Sequence, residues 1–102
     1  MNKTETIARK LLGWKLNRWD RWYDTELGTF IPVAEFKPEQ SIEDAMIIVK
    51  KLEKFGFTYN QKGEFEVCFN NICETGETLA QAITNAAYLI ADTSSTRAEE
   101  WL

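Results

Sequence analysis

The chain contains no histidine among its 102 residues. The commonest general base and metal ligand is therefore missing. Its three serines are Ser41, Ser94 and Ser95, and none stands in the pattern of a nucleophile elbow. Two cysteines, Cys68 and Cys73, fall short of the four nitrogen or sulfur ligands that structural zinc takes. No glycine-rich phosphate loop is present. No apolar run approaches the ~18 residues of a membrane span, and the opening MNKTETIARK lacks the apolar centre of a signal peptide. The carboxylates are plentiful but scattered, as in a solvated surface. These absences predict a soluble cytoplasmic protein that is not an enzyme and carries neither metal nor cofactor.

What the chain has in quantity is apolar and aromatic side chains. A hydrophobic share of 44%, with 4 Trp, 3 Tyr and 6 Phe, supplies a real core and argues against disorder. At this length one domain is expected. The net charge of −4 is unevenly spread. Residues 1–21 hold six basic and two acidic side chains, a balance of +4, whereas residues 22–102 hold six and fourteen, a balance of −8. That field disfavours non-specific binding to nucleic acid, which depends on neutralising many phosphates. It leaves room for a local anion site near the N-terminus.

The clearest helix is 41–56. Ser41 can cap it, Glu43 and Asp44 sit in its first turn, and Lys50, Lys51 and Lys54 in its last turns. Ile42, Ala45, Met46, Val49 and Leu52 recur at spacings of three and four, with Ile48 and Phe55 widening the stripe. Gly56 can then take the left-handed closing conformation. A shorter helix is expected at 4–12, stopped by Gly13, and a third at 78–91, opened by a Thr78–Gln81 capping box. Asp92 begins a polar tail, so the domain is expected to span 1–91 and the tail 92–102.

Between these helices the pattern predicts an antiparallel sheet. WKLNRWDRWY (14–23) reads as two short strands around a turn at 17–20. Residues 24–40, broken by Gly28, Pro32 and Pro38, read as a loop or irregular edge. Phe57 and Tyr59 alternate with polar residues, and Gln61-Lys62-Gly63 suggests a three-residue hairpin loop with a positive φ at Gly63. Phe65, Val67 and Phe69 should then face one way and Cys68 the other. With Asn70-Asn71 as a two-residue turn, Phe69 opposes Ile72 and Cys68 opposes Cys73. The thiols would lie close enough to cross-link in air, although two reduced, structural cysteines are favoured.

The ordered set of segments resembles a known family. It consists of Gly13-Trp14-Lys15, Trp22-Tyr23-Asp24, Phe36-Lys37-Pro38, Ile42-Glu43-Asp44-Ala45, Lys51 to Phe57, Phe65-Glu66-Val67, and Glu77-Thr78 with Ala82-Ile83. Over roughly 4–91 this succession is similar to the phage ABA sandwich domain of small phage and prophage proteins. The resemblance implies an α+β, α/β/α sandwich, with the antiparallel sheet between helices 4–12, 41–56 and 78–91. It brings no assigned catalytic residues.

One constellation suggests a function. Trp14, Trp19, Trp22 and Tyr23 interleave with Lys15, Arg18 and Arg21 within ten residues. Stacking faces beside guanidinium donors suit a nucleobase and a phosphate together. Tryptophans covering the core, with Lys and Arg at its edge, explain the same composition without a ligand. Four aromatics on two short strands cannot all point inward, so Trp19 or Trp22 should be partly exposed. The expected ligand-binding set is Lys15, Arg18, Trp19, Arg21, Trp22 and Tyr23. The predicted role is a phage-encoded, non-enzymatic binding protein, which would sequester a nucleotide-derived signal or block a host defence protein. Counter-defence is the setting that the phage resemblance implies. A double-stranded-RNA-like module is the alternative, disfavoured by the acidic remainder. An assembly role, with a Trp101-Leu102 tail docking on another subunit of a homo-oligomer, is the other.

Overall fold

A computed structural model describes the backbone of residues 3–101 and the side chains of residues 3–92. The element order is α1 (Lys3–Lys10), β1 (Lys15–Leu16), β2 (Arg21–Asp24), β3 (Thr29–Pro32), a 3-10 turn (Val33–Glu35), α2 (Ile42–Lys54), β4 (Tyr59–Gln61), β5 (Glu66–Phe69), β6 (Ile72–Thr75) and α3 (Leu79–Trp101). Among the described residues the fold is α+β, with three helices and six antiparallel strands. Those strands form two three-stranded sheets, ordered β1-β2-β3 and β4-β5-β6, where the pattern anticipates a single sheet. Within the stretch 24–40, expected as a loop or irregular edge, Thr29–Pro32 forms the strand β3. Its residues are apolar for too short a run to show a period, yet all four pair with β2.

Helix α2 forms for the reasons its ends suggest. Ser41 Oγ accepts from Asp44 N at 3.3 Å. At the other end Phe57 N donates to Leu52 O and Gly56 N to Glu53 O, both at 3.0 Å, with Gly56 at φ 96°. This pair of bonds is a Schellman closure, which satisfies carbonyls that would otherwise have no partner. Ala45, Ile48, Val49 and Leu52 are buried, while Ile42 and Phe55, expected on the apolar stripe, are exposed. They sit at the helix ends, beyond the reach of the elements that cover the middle turns. Lys51 Nζ lies 5.4 Å from the centroid of the Phe55 ring.

Helix α3 is the hub, packing on α1, α2, β5 and β6. Its face of Ala82, Ala86 and Ala87 is fully buried, and small side chains permit that close approach. Thr78 Oγ1 accepts from Gln81 N at 3.1 Å, as a cap should. The Gln81 side chain, however, accepts from Glu77 N, one residue earlier than a capping box would place it. The helix also continues past the predicted end at 91 to Trp101. No Gly or Pro stands between Ala91 and Trp101, and Asp, Thr and Ser each cost less than about 0.7 kcal/mol in a helix. The Trp101 side chain and Leu102, expected to dock on a second subunit, lie outside the described residues.

In the second sheet, Phe69 opposes Ile72 and Cys68 opposes Cys73, the predicted register. Asn70, at φ 56°, makes the turn and ties it to β4: its Oδ1 accepts from Thr58 N, and its own N donates to Thr58 O. The cysteines form a disulfide, with Cα atoms 4.0 Å apart, so the favoured reduced state is corrected. Direct cross-strand pairing brings the two sulfurs together. The β4–β5 loop is 62–65 and not Gln61-Lys62-Gly63, because Gln61 still pairs with Val67. Gly63 takes no positive φ, and Phe65 stays exposed ahead of the strand.

Candidate functional site: the outer face of the N-terminal sheet

The predicted ligand-binding residues divide along β2. Alternation puts Trp22 and Asp24 on the inner face and Arg21 and Tyr23 on the outer. Trp22 is 2% exposed, packed with Leu16 and Ile31 against the core. It therefore leaves the ligand-facing set, because strand parity turns its ring inward. Arg9 covers that ring at 5.5 Å, and the indole Nε1 has no acceptor among the described residues. Trp14 is also core, meeting Phe36 edge-on at 4.8 Å.

The other five residues reach the surface. Lys15 opposes Tyr23 across β1 and β2, and Tyr23 opposes Phe30 across β2 and β3, so the three form one row on the outer face. The Tyr23 and Phe30 ring centroids lie 5.0 Å apart, and Phe30 is 55% exposed. A shallow depression of about 500 Å³ lies at this row, lined also by Leu16, Asn17 and Gly28. Arg21 stands beside it on the same face. At the β1–β2 turn Trp19 is 68% exposed, with the Arg18 guanidinium 5.0 Å from its ring centroid.

Local chemistry builds both turns that present these groups. Asn17 Oδ1 accepts from Trp19 N at 2.9 Å and Arg21 N at 3.0 Å, and Asp20 takes the left-handed conformation at φ 57°. Between β2 and β3, Asp24 Oδ1 accepts from Glu26 N and Leu27 N, while Gly28, at φ 68°, donates to Asp24 O at 2.8 Å. Phe30 is the site residue that sequence reasoning missed. The signal was there, in the Asp24–Gly28 spacing of a hairpin loop with its aspartate bonding forward and its glycine at positive φ.

Among the described residues, no carboxylate pairs with Lys15, Arg18 or Arg21, although the chain is acidic overall. Two other cavities are of different character. One of about 370 Å³, walled by Trp22 and Phe36, carries Glu5, Asp20 and Glu39 against Lys37, a poor setting for an anion. The second, about 210 Å³, holds Lys50, Lys51 and Lys54, but Glu26 lies at it and pairs with the latter two. Those lysines hold the Glu26 carboxyl below its usual value, Lys51 by hydrogen bond and charge before Lys54. Among the described residues no His, Cys, Asp and Glu gather in threes as a metal site, and no helix is long and apolar enough to cross a membrane.

Compared with known proteins, residues 5–88 match the family model for the phage ABA sandwich domain. The chain belongs to that family. The match covers every element from within α1 to within α3, both sheets included. No curated protein and no solved structure matches this phage ABA sandwich domain. Its site is therefore argued from its own geometry.

Proposed function

We propose that this domain is a non-enzymatic binding protein that captures a nucleotide-like anion on the outer face of its N-terminal sheet. The observation that carries the reading is the row Lys15–Tyr23–Phe30, with Arg21 beside it and, among the described residues, no carboxylate pairing with either cation. A nucleobase stacks on an exposed aromatic surface with about 1–3 kcal/mol per base. A phosphate gains charge-assisted hydrogen bonds from guanidinium and ammonium donors. Both elements are needed for a nucleotide, and they stand here within one sheet.

The residue inventory supports the non-enzymatic part, since binding requires no general base and the chain has no histidine. Membership of a phage family supports a counter-defence setting, in which sequestering a host nucleotide signal is a task for a stoichiometric binder. Titration of the protein with nucleoside monophosphates, followed by NMR chemical shifts, tests the reading. Shifts concentrated at Lys15, Arg21, Tyr23 and Phe30, and lost in Arg21→Gln, are the expected result. A folded protein whose spectrum no nucleotide perturbs overturns it.

A further inference from the structure

A second exposed aromatic surface stands at the β1–β2 turn, besides the Tyr23–Phe30 pair. Trp19 projects from the β1–β2 turn at 68% exposure, an unusual position for the largest apolar side chain. The turn fixes its backbone through Asn17 Oδ1, which accepts from both Trp19 N and Arg21 N. Arg18 stacks on its ring at 5.0 Å. Along the chain Arg21 falls between the two aromatic stations, two residues after Trp19 and two before Tyr23. The two strand steps from Arg21 to Tyr23 span roughly 6.6 Å.

Resting on the nucleotide reading above, we propose that the ligand is a dinucleotide. One base lies on Tyr23–Phe30, the other on the open face of Trp19, and the linking phosphate meets Arg21 between them. Two separated aromatic surfaces suit bases that are splayed and stacked on side chains, as in single-stranded recognition. The charge limits the length. Lys15, Arg18 and Arg21 against Asp20 leave +2 over residues 15–21, enough for one or two phosphates, while the −8 of residues 22–102 repels a longer strand.

Isothermal titration with AMP, the dinucleotide ApA and a six-residue oligoadenylate reads this directly. ApA should bind about tenfold or more tighter than AMP, since a second base gains its own stack. The six-residue strand should gain no more than about twofold over ApA, and affinity should fall only shallowly with salt. Trp19→Ala should abolish the ApA advantage, and Trp19→Phe, which keeps a stacking ring, should restore part of it. Both changes sit at an exposed position and leave the core intact. Equal affinities for AMP and ApA, or an ApA advantage that survives Trp19→Ala, overturn the two-station ligand while sparing the nucleotide reading. Affinity that climbs steadily with strand length overturns it in favour of a polynucleotide. Failure of all three probes to bind defeats the nucleotide reading, and this inference with it.

Discussion

Trp14 and Phe36 meet edge-on, with ring centroids 4.8 Å apart, and both are at least 95% buried. Phe36 comes from the segment between β3 and α2, so this contact pins an irregular stretch to the start of the first sheet. Trp14→Ala should cost about 3–5 kcal/mol, the range for emptying a large aromatic site. For a domain of this size that is a large part of total stability. Urea unfolding followed by circular dichroism checks it; a loss under about 1 kcal/mol contradicts the packing described.

Arg18 and Arg21 are exposed cations with no carboxylate partner among the described residues, so removing either should leave stability nearly unchanged. Each hydrogen bond from a guanidinium to a phosphate is worth about 1.5–3 kcal/mol. Arg21→Gln, which removes the phosphate donor of the proposed site, should therefore weaken nucleotide binding about tenfold or more, with the thermal midpoint held. Calorimetric titration beside a thermal melt separates the two effects.

The Cys68–Cys73 disulfide closes a short loop of sequence separation 5. Loop-closure entropy for so small a ring gives about 2 kcal/mol of stabilisation. Dithiothreitol, or the double change Cys68→Ser and Cys73→Ser, should lower the melting temperature by about 10 °C without unfolding the domain at 25 °C. Nucleotide binding, on the other sheet, should persist. An unchanged melt under reducing conditions contradicts the bond's contribution.

Gly76 stands where the chain turns from β6 into α3. A Cβ there would meet Ala82 N at 2.6 Å and the Gln81 carbonyl carbon at 3.0 Å. Those are backbone atoms, which cannot swing aside as a side-chain end can. Gly76→Ala should destabilise by about 1–3 kcal/mol, as overpacking does. Chemical denaturation gives the value, and neutrality would place α3 further from the β6 end.

The Glu26 carboxyl is held below its ordinary 4.5 by Lys51 and then Lys54. A depressed folded-state value means that the contribution is present above the unfolded value and lost as pH falls through the folded one. Stability should thus decline below pH 4.5, more gently in Glu26→Gln than in the parent. Denaturation midpoints across that acid range test it, with parallel curves for the two proteins as the contrary outcome.

Local chemistry alone determined a good deal of this domain. Ser41, the acidic first turn and Gly56 delimit α2, since caps act over a few bonds and need no tertiary partner. Asn70-Asn71 sets the β5–β6 register for the same reason, and with it the facing of Cys68 and Cys73. The clustering of cations and aromatics within residues 14–23 was equally visible, because a hairpin folds back on itself within the segment. Only the tertiary structure decided the rest. Phe55 has an apolar side chain in register with the core stripe, yet it is exposed because, among the described residues, no element covers the end of α2. Trp22 and Tyr23 read alike as neighbours in a string, but strand parity and the core behind β2 send one in and leave the other out. Phe30 joined the site through pairing with β2, a contact between segments that no periodicity within β3 announces. Periodicity reports what a segment would bury, and the packing of distant elements decides whether anything is there to bury it.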